Sequence, residues 1–217
     1  MLWLDLGLCI VCLWGGVSGY LAGWRKISQR LALLIVAAAT AAVFQGDMKL
    51  FITLHYPVDL AIRTLLINRS AVPVGTMASY PEAVLNSLEI PAWLHPLLVE
   101  KATAAATASA TGVIDILTMI MVNALSFAAG FALWGGAFQL AGFFRQNHSG
   151  VLSNYRGQWG GAIIGVILHI WIFVLIAGAV APFFWLIPLA RELFDPQQAY
   201  LFNKALQLFN STGIWWN

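Results

Sequence analysis

The chain has 217 residues, of which 60% are apolar and only 9% charged, with a formal net charge of +2. A soluble globular domain carries about a quarter charged residues, so this composition leaves too little charge to cover a surface in water. The small net charge, with no basic cluster interleaved with aromatics, also argues against a nucleic-acid surface.

A bilayer core demands helices of about 20 apolar residues, because every backbone N–H and C=O must be paired within its own segment. Four stretches meet that demand, at about 2–24, 27–44, 113–144 and 159–184. The expected fold is therefore an all-α integral membrane protein, with four transmembrane helices and short amphipathic extracytoplasmic helices in one domain. The lipid bilayer is its first partner.

The first stretch is bracketed by Trp3 and Trp24, roughly 31 Å apart on a helix, the spacing of interfacial tryptophans. Its Cys9 and Cys12 form a C-x-x-C without the helix N-terminus that activates such thiols. They read as two small apolar side chains on one face. Positive charge follows this stretch rather than preceding it, which argues against a cleavable signal peptide. The second stretch is short and alanine-rich, with Arg30 at its edge.

Residues 45–112 are punctuated by Pro57, Pro73, Pro81, Pro91 and Pro96 and read as short helices broken by turns. Val58, Ile62, Leu65 and Leu66 share a face opposite Asp59, Arg63 and Arg69, which suits the outer leaflet. Residues 83–88 predict one or two further helical turns. The run Ala102 to Thr111 predicts an extramembrane turn of helix leading into the third stretch. That stretch is longer than a bilayer needs, so it must tilt or extend beyond the hydrocarbon. The fourth stretch meets Pro182 where the helix is finishing. In the tail, 191–217, Leu201, Ala205, Leu208 and Phe209 oppose Asn203, Lys204, Gln207 and Asn210, and Trp215 and Trp216 follow. This segment reads as interfacial.

Orientation follows the basic residues, which stay on the cytoplasmic side when they lie in short loops. Arg25, Lys26 and Arg30 follow the first span; Arg145 and Arg156 lie between the third and fourth. Both links read as cytoplasmic, and all nine acidic residues fall elsewhere. Both termini are then extracytoplasmic.

Glycine recurs every fourth residue at Gly15, Gly19 and Gly23, and again at Gly157, Gly161 and Gly165. Each trio makes a stripe without side chains on which a second helix can approach closely in lipid. With the orientation above, both stripes lie in the cytoplasmic half. They predict contact between spans one and four, or between two protomers.

The acidic residue of Trp3-Leu4-Asp5, followed by an apolar span closing on Gly19, Gly23 and Arg25, resembles the colicin V production protein (CvpA) family. So does the run Ser153-Asn154-Tyr155-Arg156-Gly157 leading into Gly161 and Gly165. The Pro91-Ala92-Trp93-Leu94 turn before a long helix is similar to the larger members from Gram-positive bacteria, which insert an extracytoplasmic segment between spans two and three. The chain departs from the family pattern in having Lys26 and Ile27 after Arg25, where members usually have an Arg-Glu pair. Arg156 also stands closer to Gly157 than the loop arginine of the family. The resemblance implies an integral membrane protein linked to production of a secreted toxin, with no catalytic activity, cofactor or substrate attached.

The residues themselves point to no enzyme. There is no Gly-x-Ser-x-Gly, His-Glu-x-x-His or phosphate loop. His55, His95, His148 and His169 form no pair at helical spacing that would hold a metal, so no metal or other cofactor is expected. Asp5 reads as an interfacial residue at a span end; the alternative makes it part of an ion or proton path with Asp115 at a similar depth. His169, near the middle of the fourth span, reads as an interhelical hydrogen-bonding residue or as a member of that path. Asn123, Ser126 and Gln139 admit the same two readings. The expected function is a non-enzymatic scaffold or accessory factor in toxin production, export or envelope maintenance, with a homo-oligomer or another membrane protein as partner. The alternative is an oligomeric channel lined by Asp5, Asp115, Asn123 and His169.

Overall fold

The computed structural model describes residues 3–73, 81–88, 90, 95, 98, 112–146, 155–184, 186 and 200–216. Among them the chain is almost wholly helical, without a strand. The elements are α1 (Trp3–Val43), α2 (Gln45–His55), α3 (Val58–Arg69), α4 (Pro81–Ser87), α5 (Gly112–Gln146), α6 (Tyr155–Phe184) and α7 (Tyr200–Asn210). The expected helix over 102–111 and the Pro91–Leu94 turn lie outside the described residues.

Three stretches are long and apolar enough to cross a membrane: Asp5–Val43, Gly112–Leu140 and Gly157–Phe183. A fourth is added if α2 and α3, bent by 76° at their junction, count as one broken span. Tyr56 explains the bend, since it precedes Pro57 and is extended, at φ −134° and ψ 120°. Proline's ring excludes the helical conformation for the residue before it.

The first two expected spans fall on a single element. At 1.5 Å per residue the 41 residues of α1 would run about 60 Å, twice the hydrocarbon thickness. They do not run straight, because Gly23 breaks the helix at φ 75°, ψ 163°. Glycine enters this region without the Cβ clash that other residues meet.

The two arms, 3–22 and 24–43, both lie against α6. Gly19 faces Gly161 and Gly15 faces Gly165, so the first arm runs antiparallel to α6. Beyond Gly23, which sits over Gly161, the second arm climbs back until Leu34 and Ala37 share a cavity with Leu168 and Ile172. Ala41 then meets Gly130 of α5. The expected connection at 25–26 is thus no loop: one glycine makes the turn, and Arg25 and Lys26 are exposed on the first turn of the second arm.

The largest core lies at the opposite end from Gly23. There the N-terminal half of α5 is wrapped by α3, α4 and the C-terminal segment, with Leu66, Leu85, Leu88, Leu117, Met121 and Phe127 buried together. The other half of α5 exposes Leu133 and Leu140. Within α3, Leu66 is buried and Val58 and Ile62 half-buried, while Leu65 is exposed.

The C-terminal segment differs from the interfacial tail read from the sequence. Leu206, Phe209 and Trp215 are buried in the core, whereas Leu201 and Leu208 are exposed. Gly213, at φ 74°, turns the chain after α7. The Trp215 indole N–H then donates to the Gly178 carbonyl at 3.0 Å, and the Trp216 indole to Asn210 Oδ1 at 2.9 Å. A tryptophan buried with its N–H satisfied contributes more apolar burial than one lying at an interface.

Candidate functional site

Two features converge beside α6: the glycine seam with α1, and a cavity on the other side of the seam. In the seam a methyl group on Gly15 would sit 2.7 Å from the Gly165 carbonyl oxygen and 2.8 Å from the His169 ring. Gly19 stands against the carbonyl of Gly161, Gly161 against that of Gly19, and Gly165 against that of Gly15. Apart from the His169 ring, the obstructing atoms are main chain, which cannot rotate aside as a side chain can. Gly23 is buried over Gly161, and Gly157 is half-buried at the start of α6. The two stripes therefore meet within one chain.

His169 is the next four-residue step after Gly157, Gly161 and Gly165. The room left by Gly15 lets its ring lie in the seam. Its Nδ1 is 2.8 Å from the Gly165 carbonyl. A carbonyl only accepts, so Nδ1 carries the proton in this contact and Nε2 is left to other partners.

Asp5, Asp115, Asn123 and Ser126, read as possible members of a pathway, do not come together. Asp5 accepts from the backbone N–H of Leu201, at 3.2 Å, in the first turn of α7; a carboxylate is stabilising beside that end of a helix. Asp115 pairs with Arg63 at 3.0 Å, joining α5 to α3. Asn123 is fully buried and donates to the Trp215 carbonyl at 3.0 Å. Ser126 donates to Val122 of its own helix. His169 and Gln139 both face the cavity described below. Arg145 and Arg156 lie in the end turns of α5 and α6, and their side chains, like all of His148, lie outside the described residues.

Gln45 escaped notice in the sequence, where it follows an apolar run and opens the segment read as short helices broken by turns. It is only 2% exposed. Its amide donates to the Asn123 carbonyl at 3.1 Å and the Ile214 carbonyl at 2.9 Å. With Asn123 it pins α2, α5 and the C-terminal turn to one another. Gln45 Oε1 and Asn123 Oδ1 are both buried without a donor among the described residues. Gly178, also missed, gives way to the Phe209 ring, and a Cβ there would overlap it.

The cavity, about 670 Å³, opens between the second arm of α1, α5 and α6. Arg30, Gln139 and His169 supply its polar groups, and Leu34, Phe131 and Ile172 stand among its apolar walls. A separate, almost wholly apolar groove of about 440 Å³ lies where Cys12, Tyr20 and Trp159 meet. Cys9 and Cys12 are free and half-buried. No cluster of metal-ligating side chains occurs among the described residues.

Comparison with family models, with curated proteins and with solved structures finds no match for this chain.

Proposed function

We propose that the chain is a four-span protein of the bacterial cytoplasmic membrane, similar to the CvpA proteins, which acts without catalysis as a scaffold or accessory factor in toxin production, export or envelope maintenance. The spans are the two arms of α1, then α5 and α6, with α2 to α4 and α7 forming an extracytoplasmic cap and both termini on that side. The observation that carries this reading is what the polar residues do. Asp5, Asp115, Asn123 and Gln45 each hold one element to another, as befits a fixed support more than a conduit. Exposed Leu13, Trp14, Val17 and Leu21 on the first arm, and Ile163 and Ile167 on α6, leave an apolar surface for lipid, a second copy or another membrane protein.

An oligomeric channel is the second reading, favoured by the cavity in which Arg30, Gln139 and His169 meet. Ion-flux recording from liposomes holding folded, oligomeric protein separates the two. The scaffold reading predicts silence, and a reproducible flux abolished by His169→Leu would replace it with the channel. Orientation is tested with Ser149→Cys in a background where Cys9 and Cys12 are serine. A membrane-impermeant thiol reagent should reach it only from the cytoplasmic side; labelling from outside intact cells would invert the arrangement.

A further inference from the structure

Arg30 lies seven residues beyond the bend at Gly23, about 10 Å along the second arm, and the arm continues apolar to Val43. Its neighbours Arg25 and Lys26 lie at the bend itself, within reach of headgroups and water. Arg30 instead borders the cavity between α1, α5 and α6, and it makes no hydrogen bond or ion pair with any described residue. Arg30 is exposed at the cavity's edge, and a guanidinium within an apolar segment is stabilised where it meets headgroups or an anion.

The surroundings say which kind of anion. No carboxylate occurs among the described residues lining the cavity, so nothing there neutralises Arg30 or repels a negative ligand. Gln139 adds amide donors and is likewise without a hydrogen-bond partner among the described residues. His169 has Nδ1 committed to the Gly165 carbonyl, which fixes its ring against the seam. The rest of the wall is aliphatic and aromatic, including Leu33, Leu34, Phe138 and Ile172. A small hydrated anion gains nothing from such walls, whereas a ligand with an anionic head and acyl chains matches both parts. Basic pockets between membrane helices on the cytoplasmic side hold anionic headgroups in this way.

We infer that this cavity binds the phosphate headgroup of an anionic phospholipid of the inner leaflet, with Arg30 and Gln139 on the phosphate and the acyl chains along the apolar wall. The inference rests on the four-span reading, so it is tested only on protein that has first been extracted from membranes. Full-length protein in detergent, stripped of lipid, is mixed with phosphatidylglycerol, phosphatidylcholine or inorganic phosphate, and bound molecules are counted by native mass spectrometry.

The wild type should retain phosphatidylglycerol over phosphatidylcholine by about fivefold or more, the effect of one basic residue near a membrane surface. Arg30→Gln should abolish that preference and Gln139→Leu reduce it, while Arg30→Lys and Arg25→Gln keep it. Equal retention of the two lipids by the wild type overturns the site, even if no variant folds. An equal loss in Arg25→Gln and Arg30→Gln overturns it too, because a diffuse surface charge then suffices. Arg30-dependent binding of inorganic phosphate with no lipid preference would assign the cavity to a soluble anion and overturn the lipid. Failure of these arms in protein that fractionates with membranes leaves the four-span reading intact.

Discussion

At Gly19 and Gly161 the two helices meet main chain to main chain, so neither site has space for even a methyl group without parting the helices. Gly19→Leu and Gly161→Leu should each destabilise the fold by about 3 kcal/mol or more, at or beyond the upper end of ordinary overpacking. Gly16 stands beside them, and a methyl group added there would meet only a methyl of Val166, at an ordinary 3.5 Å. Gly16→Ala and Cys9→Ser should leave the melting temperature in detergent within about a degree or two of wild type. Equal melting temperatures for Gly16→Ala and Gly19→Leu would remove the seam from the account. The buried amides make a second residue-scale test. Asn123→Leu removes the buried hydrogen bond to the Trp215 carbonyl, and the loss of such a bond costs about 0.5–1.5 kcal/mol. The loss should appear as a lowered denaturation midpoint.

Among the elements, α1 depends most on one residue, because the positive φ at Gly23 converts a rod into a returning pair of arms. Gly23→Ala should cost about 1–2 kcal/mol through that conformation alone and loosen the packing of both arms on α6. Protease accessibility near Trp24 would report it, and unchanged cleavage would show that the bend tolerates a side chain. The apolar runs of α1, α5 and α6 were legible in the sequence because length and composition are properties of each segment taken alone. The stripes were legible for the same reason, since four-residue spacing is a local property. The burial of Trp215 was not, because it depends on the carbonyl of Gly178 in another helix, and a terminal Trp-Trp pair otherwise reads as interfacial. Gln45 was missed on similar grounds: its partners Asn123 and Ile214 are distant in sequence. The bend was foreseen as a short basic loop, because Arg25 and Lys26 disguise the fact that Gly23 alone suffices.

In the whole molecule, α6 is the post around which the rest is arranged. Both arms of α1 flank it, α5 closes the cavity beside it, and the C-terminal segment returns to its far end at Gly178. Gly15, Gly19, Gly161 and Gly165 find their complements in the same chain, which leaves the exposed apolar faces for any oligomerisation. The most direct test of this arrangement is disulfide trapping in isolated membranes of the pair Gly16→Cys and Val166→Cys, with Cys9 and Cys12 replaced by serine. Those positions approach across the seam, and oxidation is predicted to give a membrane-bound monomer with an internal cross-link and altered gel mobility. Cross-linked dimers with no internally linked monomer would place the seam between protomers and contradict the account.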